Sequence, residues 1–165
     1  MSQARCHRRV YFEVRPSEVE DEVQLLNLIE LVPEVSPDDT FADVLALVSA
    51  GQAKVAAVVQ DRKILGIIAQ SDIARHSAIP NGETSMLHAR DLMTAPVETM
   101  LASVPVIDAA RAMRPRRIQY LALVDDSAHF LGIATLRRVL FEVMDELDLK
   151  VDNLERELMA DGPGG

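Results

Sequence analysis

The chain contains an internal repeat, in which two segments carry the same order of apolar and polar residues about 65 positions apart. The run Val58-Val59 corresponds to Leu123-Val124, and Leu65-Gly66-Ile67 corresponds to Leu131-Gly132-Ile133. The spacing increases by one residue in the polar turn between these runs, where an insertion disturbs little. A chain made of two copies of one unit is expected to fold into two similar halves.

The first copy predicts a helix followed by two strands. Apolar residues recur at helical spacing from Phe41 to Val48, on a face that includes Leu45. The apolar runs Val55–Val59 and Ile64–Ile68 have the length of strands and flank a polar turn. Because these runs are continuous rather than alternating, we expect a sheet that is covered on both faces, with helices as the cover.

The other predicted elements follow the same order in both copies, which gives an α/β (α+β) fold class. Each copy begins with a short strand and ends with a helix after its last strand. These elements are expected near Val32–Val35, Asp72–Ala78, Val97–Met100, Val106–Met113, Leu121–Val124 and Phe130–Ala134.

The repeat also predicts the domain boundaries. We expect an N-terminal extension over residues 1–16, a first repeat over 17–82, a second repeat over 83–146, and a C-terminal helix extension with a flexible tail over 147–165. Local signals support this division: a strand pattern at Val10–Val14, a capping box at Ser17 and Glu20, a helix-ending Gly51, and a turn at Pro80–Gly82.

Composition excludes several classes of protein. A net charge of −9 disfavours nucleic-acid binding, since an acidic surface repels phosphate backbones. The single cysteine, Cys6, allows no internal disulfide, and no apolar run approaches the ~20 residues that span a bilayer. The four histidines share no metal-binding spacing, and no catalytic constellation stands out. We therefore expect a cytoplasmic protein that is not an enzyme and that holds no metal.

The repeated stretches Asp61–Ile73 and Asp126–Val139, together with Arg90–Val97, resemble a tandem pair of cystathionine β-synthase (CBS) domains, called a Bateman module. The resemblance covers roughly residues 23–146. It implies two βαββα repeats packed as a pseudo-twofold pair, and often a homodimer. It also implies a regulatory role without catalysis, in which the cleft between the repeats binds an adenosine-type ligand such as AMP, ADP, ATP or S-adenosylmethionine.

The family places a Thr or Ser hydroxyl at the turn into the last helix of each repeat and an Asp three residues later. The carboxylate can accept hydrogen bonds from ribose hydroxyls, and the hydroxyl and helix N–H groups suit a phosphate. This chain departs from the pattern in both copies. The first copy keeps Asp72 but has Ala69 at the hydroxyl position, with Ser71 nearby. The second copy keeps Thr135 but has Arg138 in place of the Asp.

Arginine accepts no hydrogen bond, so we expect the ribose site at Asp72 and an anion-binding role for Arg138. Helix capping explains Ser71, Asp72 and Thr135 equally well. Arg117 belongs to a basic cluster that is either a solvated helix end or part of an anion pocket, while Gly66 and Gly132 favour close packing of strand and helix. The complete predicted ligand site is Val35, Ile68, Ala69, Ser71, Asp72, Arg117, Tyr120, Thr135 and Arg138.

The C-terminal helix carries a second pattern, an apolar stripe with alternating spacings of four and three residues. Its members are Leu140, Met144, Leu147, Val151, Leu154 and Leu158. The stripe packs on its own chain or, because it extends past the last helix of the family, against a second copy or a partner protein. The alternative function is therefore a ligand-independent dimerisation or protein-interaction scaffold with degenerate nucleotide sites.

Overall fold

The computed structural model describes residues 23–50, 54–77 and 84–160. Several predicted features lie outside the described residues: the extension over residues 1–16 with Cys6 and its strand pattern, the capping box at Ser17 and Glu20, Gly51, the turn at Pro80–Gly82, and the tail from Asp161.

Two similar halves follow each other along the chain, which confirms the predicted repeat. The first consists of β1 (Glu34–Val35), α1 (Phe41–Ala50), β2 (Val55–Gln60), β3 (Lys63–Ala69) and α2 (Gln70–Ser77). After the short α3 (Ala89–Leu92), the second half consists of β4 (Thr99–Leu101), α4 (Val106–Met113), β5 (Tyr120–Val124), β6 (Phe130–Thr135) and α5 (Leu136–Ala160). In each half the first strand pairs parallel to the second, and the second pairs antiparallel to the third.

Successive residues of the central strands face different cores. In β2, Ala56 and Val58 belong to a cluster with the helices of the first half, whereas Val55 and Ala57 belong to a cluster shared with β5 and β6. Helices therefore cover one face of each sheet and the opposite sheet covers the other. The prediction that both faces are buried is confirmed, but the prediction that helices form the whole cover is wrong, because the repeat supplies a second sheet.

Each half also contributes a short segment to the other half. We call residues 23–30, which contain a 3-10 turn at Leu25–Leu28, and residues 87–94, which contain α3, the crossing segments. Leu25 and Leu28 pack in the core of the second half, although they precede the first. Ala89 and Leu92 pack in the core of the first half in the same way. The predicted boundaries at 17–82 and 83–146 follow chain order and do not describe this exchange.

The crossing segments run directly over two glycines. A Cβ atom on Gly132 would lie 2.7 Å from Cγ2 of Ile29, and one on Gly66 would lie 2.8 Å from Sδ of Met93. The prediction of close packing holds, but the neighbour is the extended chain just after a short helix rather than the helix itself.

Two apolar patterns lie on the surface instead of in a core. Leu45 is 38% exposed, although it shares the predicted face with the buried Val44 and Val48. The six residues of the C-terminal stripe are between 47% and 77% exposed, so α5 does not pack that face on its own chain within the described residues. Among those residues we find no helix whose length and hydropathy would allow it to cross a membrane.

Candidate functional site

A cleft opens where β6 passes into α5. Thr135 ends β6 and caps α5, since its hydroxyl accepts the backbone N–H of Arg138 at 3.4 Å. The backbone N–H of Leu136 donates to the carbonyl oxygen of Gln119 at 2.9 Å, which closes the helix start onto the beginning of β5. The first turn of α5 thus presents Thr135 and Arg138 at one corner of the second half.

Glu30 brings a carboxylate to this corner from the first crossing segment. The Thr135 hydroxyl donates to Oε1 of Glu30 at 3.1 Å, and Nε of Arg138 lies 3.8 Å from the same oxygen. The main chain fixes the position of Glu30, because it exchanges two backbone hydrogen bonds with Ile133. The side chains of Glu30 and Arg138 stay 33% and 50% exposed, so both can reach a bound molecule.

Cations outnumber anions along the cleft. Its volume is about 850 Å³. Lys54, Arg137 and Arg138 contribute positive charge, and Glu30 contributes the opposing carboxylate. Val32 and Tyr120, which are only partly buried, supply apolar surface on the side of the two sheets, whereas Val55 and Ile133 border the cleft but are almost fully buried. In a chain with a net charge of −9, this concentration of cations favours an anionic ligand that also has an apolar part.

Three of the nine predicted site residues line this cleft, namely Tyr120, Thr135 and Arg138. Arg117 is exposed in a left-handed conformation with φ of 54° after a short 3-10 turn, and it is not among the residues that line the cleft. Its predicted contribution to an anion pocket receives no support from this placement.

Asp72 occupies the equivalent corner of the first half, where β3 passes into α2. Its Oδ2 accepts the backbone N–H of Ala69 at 2.9 Å, and its Oδ1 lies 3.2 Å from Nη2 of Arg75. The side chain is only 7% exposed, so capping and ion pairing already occupy this carboxylate. Ser71 is exposed beside it. The prediction that Asp72 accepts ribose hydroxyls stays a prediction.

Val35 and Ile68 belong to the predicted ligand site, but the structure buries both side chains. They are 2% and 0% exposed and pack with Val44 and Ile73 in the core of the first half. Neither residue therefore offers surface to a ligand in this structure. Alternate residues of a strand face opposite sides, and these two point to the helices.

The list of predicted site residues does not contain four polar residues of the cleft, which are Glu30, Lys54, Gln119 and Arg137. Sequence patterns did not indicate Glu30, because the crossing segment brings it beside a strand that lies about 100 positions later in the chain. The reversed charge at Arg138 was the available signal, since it left the turn without the carboxylate that the family pattern places there. Among the described residues, no group of three or more His, Cys, Asp or Glu side chains could hold a metal ion.

The sequence model of the family described as "CBS domain" matches residues 31–79 and 89–145, which is one match in each half. An inosine-5'-monophosphate dehydrogenase of Methanocaldococcus jannaschii is 30% identical over 81% of this chain and 26% of its own length. The chain spans between 22% and 54% of the length of four curated relatives that it matches.

Two solved structures show the same fold. The CBS domain of a bacterial CNNM/CorC family Mg²⁺ transporter, in complex with ATP, superposes with a TM-score of 0.64 at 16% identity, over 73% of this chain and 87% of its own. A CBS domain-containing protein of unknown function from Bacillus anthracis gives a TM-score of 0.65 at 14% identity, over 75% of this chain and 94% of its own.

Proposed function

The chain belongs to the CBS domain family, and from that premise we propose that it is a regulatory module that binds an adenosine-type nucleotide in the cleft at Thr135. The observation that carries this proposal is the gathering of Lys54, Arg137 and Arg138 around a cleft of about 850 Å³ in an acidic chain. ATP bound to the CBS domain of the CNNM/CorC transporter supports the class of ligand.

Each part of a nucleotide finds matching chemistry in the cleft. Arg138 and Lys54 can face phosphate oxygens, for which the guanidinium is suited by its fork of donors. Tyr120 and Val32 offer flat and aliphatic surface to a base. The proposed role of the module is to bind the nucleotide, and the proposal assigns no catalytic step to the cleft. A nucleotide that touches both halves would change how they pack, which is how we expect it to regulate.

Ligand-dependent stabilisation tests the proposal. We expect AMP, ADP, ATP or S-adenosylmethionine to raise the free energy of unfolding, by about 2.7 kcal/mol at a hundredfold excess over Kd. The measurement is thermal unfolding of the full chain with each ligand at millimolar concentration. The stabilisation by each ligand is also compared in Arg138→Gln, which removes a cation of the cleft, and in Arg114→Gln. The second variant is the matched control, because Arg114 is an exposed cation that does not line the cleft. No stabilisation by any of the four ligands would contradict the proposal.

A second candidate function is supported by the exposed stripe on α5. About half or more of the side chain is exposed at Leu147, Val151 and Leu154. Exposure of a row of apolar side chains to water costs free energy, which burial against a partner would recover. Because the stripe repeats with heptad spacing, we propose that a second copy of the chain covers it in a homodimer. Leu154 lies at the opposite end of α5 from Arg138, whereas Leu140, the first residue of the stripe, also lines the cleft, so the homodimer leaves room for a nucleotide where the contact begins beyond Leu140.

A further inference from the structure

The position of a carboxylate at the helix start differs between the two halves. In the first half it belongs to α2, where Asp72 accepts the backbone N–H of Ala69. In the second half the corresponding position is Arg138, and the carboxylate comes instead from Glu30 of the first crossing segment. The exchange of crossing segments therefore restores an acidic group at a corner where the helix itself lacks one.

The contacts of Glu30 leave its carboxylate able to accept hydrogen bonds from a ligand. Its Oε1 accepts a hydrogen bond from the hydroxyl of Thr135 at 3.1 Å. Nε of Arg138 lies 3.8 Å from the same oxygen, which is a long contact for an ion pair. Within the described residues these are its side-chain contacts, and both involve the same oxygen. The side chain is a third exposed and lines the cleft.

A surface ion pair alone does not explain this arrangement. Partly exposed ion pairs contribute about 0–1 kcal/mol, and the contact to Arg138 lacks the two parallel hydrogen bonds of a strong arginine–carboxylate pair. The backbone hydrogen bonds between Glu30 and Ile133 fix the main chain that carries this carboxylate, and the Thr135 hydroxyl holds one of its oxygens before any ligand arrives. A held carboxylate accepts hydrogen bonds only, so its partner on a ligand must carry hydroxyl or amine donors.

We propose that Glu30 accepts the two neighbouring hydroxyls of the ligand's sugar, while Arg138 and Lys54 face its phosphate. This assignment rests on the proposed function and names the group in the cleft that recognises ribose. A carboxylate has two oxygens, which match the spacing of two adjacent hydroxyls, and hydrogen bonds to a charged acceptor are the stronger kind. The ligand class that follows is a phosphorylated ribose with both hydroxyls free.

Paired ligands test this assignment without relying on one variant. ATP and AMP are each compared with their 2′,3′-dideoxy analogues in calorimetric titrations of the full chain. For the wild-type chain we expect the loss of both hydroxyls to weaken binding by about tenfold or more. Glu30→Ala is expected to weaken ATP binding by a similar factor and to leave the affinity for dideoxy-ATP unchanged.

The controls separate this inference from the proposed function. Glu34→Ala removes the same charge from an exposed residue that does not line the cleft, and Glu30→Gln keeps the side-chain shape if Glu30→Ala fails to fold. Equal wild-type affinity for a nucleotide and its dideoxy analogue would overturn the role of Glu30 while leaving nucleotide binding intact. Equal loss of both ligands in Glu30→Ala would do the same. No binding of either nucleotide to the wild-type chain would overturn the proposed function and this inference together.

Discussion

Glu30 and Ile133 exchange two backbone hydrogen bonds across the two halves of the molecule, with N···O distances of 2.8 and 3.1 Å. Thr94 and Ile67 make the equivalent pair on the other side, at 2.8 and 3.2 Å. These pairs join each crossing segment to the last strand of the opposite half. The pair at Ile133 also places Glu30 beside Thr135, so the same contact supports the fold and shapes the cleft.

The glycines under the crossing segments are expected to accept no larger residue. In Gly132→Ala the new Cβ would lie 2.9 Å from the carbonyl oxygen of Glu30, and in Gly66→Ala it would lie 2.9 Å from that of Thr94. Both variants should lose about 1–3 kcal/mol in the free energy of unfolding, measured in urea. Gly132→Ala should also weaken ATP binding, because it displaces Glu30, whereas Gly66→Ala should not.

Ser71→Ala serves as the control, since Ser71 is exposed and we expect its loss to change stability by less than about 0.5 kcal/mol. Unchanged stability of both glycine variants would contradict the close approach of the crossing segments. Equal loss of ATP affinity in the two glycine variants would contradict the placement of the cleft on the Ile133 side.

Arg138→Gln should reduce the affinity for ATP by about tenfold, because the cleft loses a cation that can donate two hydrogen bonds. Arg114→Gln removes the same charge from the exposed end of α4 and should leave the affinity almost unchanged. Calorimetric titrations at two salt concentrations check both variants. An equal effect of the two substitutions would indicate general charge attraction and not a site.

Asp72→Ala should lower the free energy of unfolding by about 1 kcal/mol, because the carboxylate caps α2 through the Ala69 N–H. Asp72→Asn keeps an oxygen acceptor and should lose less. Urea unfolding measures both. Since Asp72 does not line the cleft at Thr135, the affinity of that cleft for ATP should not change. A loss of all ATP binding in Asp72→Ala would instead move the nucleotide to the corner in the first half.

Acid should lower the free energy of unfolding through two hydrogen-bonded carboxylates, Asp125 and Asp43. The backbone N–H of His129 lowers the pKa of Asp125 below its ordinary value of 3.8, and the hydroxyl of Thr40 lowers the pKa of Asp43. A carboxyl whose pKa is lower in the folded state stabilises the protein above pH 3.8 and loses that contribution as the pH falls through the folded value.

Unfolding midpoints at pH 5 and pH 3 check this dependence. The wild-type chain should lose more stability over this interval than Asp125→Asn or Asp43→Asn, since an amide does not titrate. The double variant should be the least sensitive to acid. Identical acid sensitivity in all four proteins would show that these two hydrogen-bonded carboxylates do not contribute.

The stripe on α5 predicts association that depends on its leucines. Leu147→Glu combined with Leu154→Glu should shift the chain from dimer to monomer in sedimentation equilibrium, because two charges enter the apolar row. Asn153→Glu adds a charge on the same exposed helix outside the stripe and should leave the assembly unchanged. A wild-type chain that sediments as a monomer at all concentrations would contradict the homodimer.

Sequence patterns predicted the elements because their signals are local. The strands β2 and β6 were predicted from continuous apolar residues. Because the same pattern occurs in both copies, each copy supported the prediction made for the other. What the patterns could not show was which surfaces meet. Val55 faces the opposite sheet and Leu45 faces outward, and neither fact follows from spacing along one chain.

The candidate site was predicted only in part for the same reason. Thr135 and Arg138 were predicted because they occupy the motif positions of the family in one strand-to-helix turn, and Tyr120 was predicted with them. Glu30 lies far away in sequence, and only the crossing segment brings it to that turn. Sequence reasoning favoured Asp72, whose role as a cap cannot be separated from ligand binding without the burial and contacts of its carboxylate.

The most direct measurement is an experimental structure of the full chain with ATP. We predict one nucleotide in the cleft at Thr135, with phosphate oxygens within hydrogen-bonding distance of Arg138 or Lys54 and the ribose hydroxyls on Glu30. A nucleotide bound elsewhere, or an empty cleft at saturating ATP, would contradict this site.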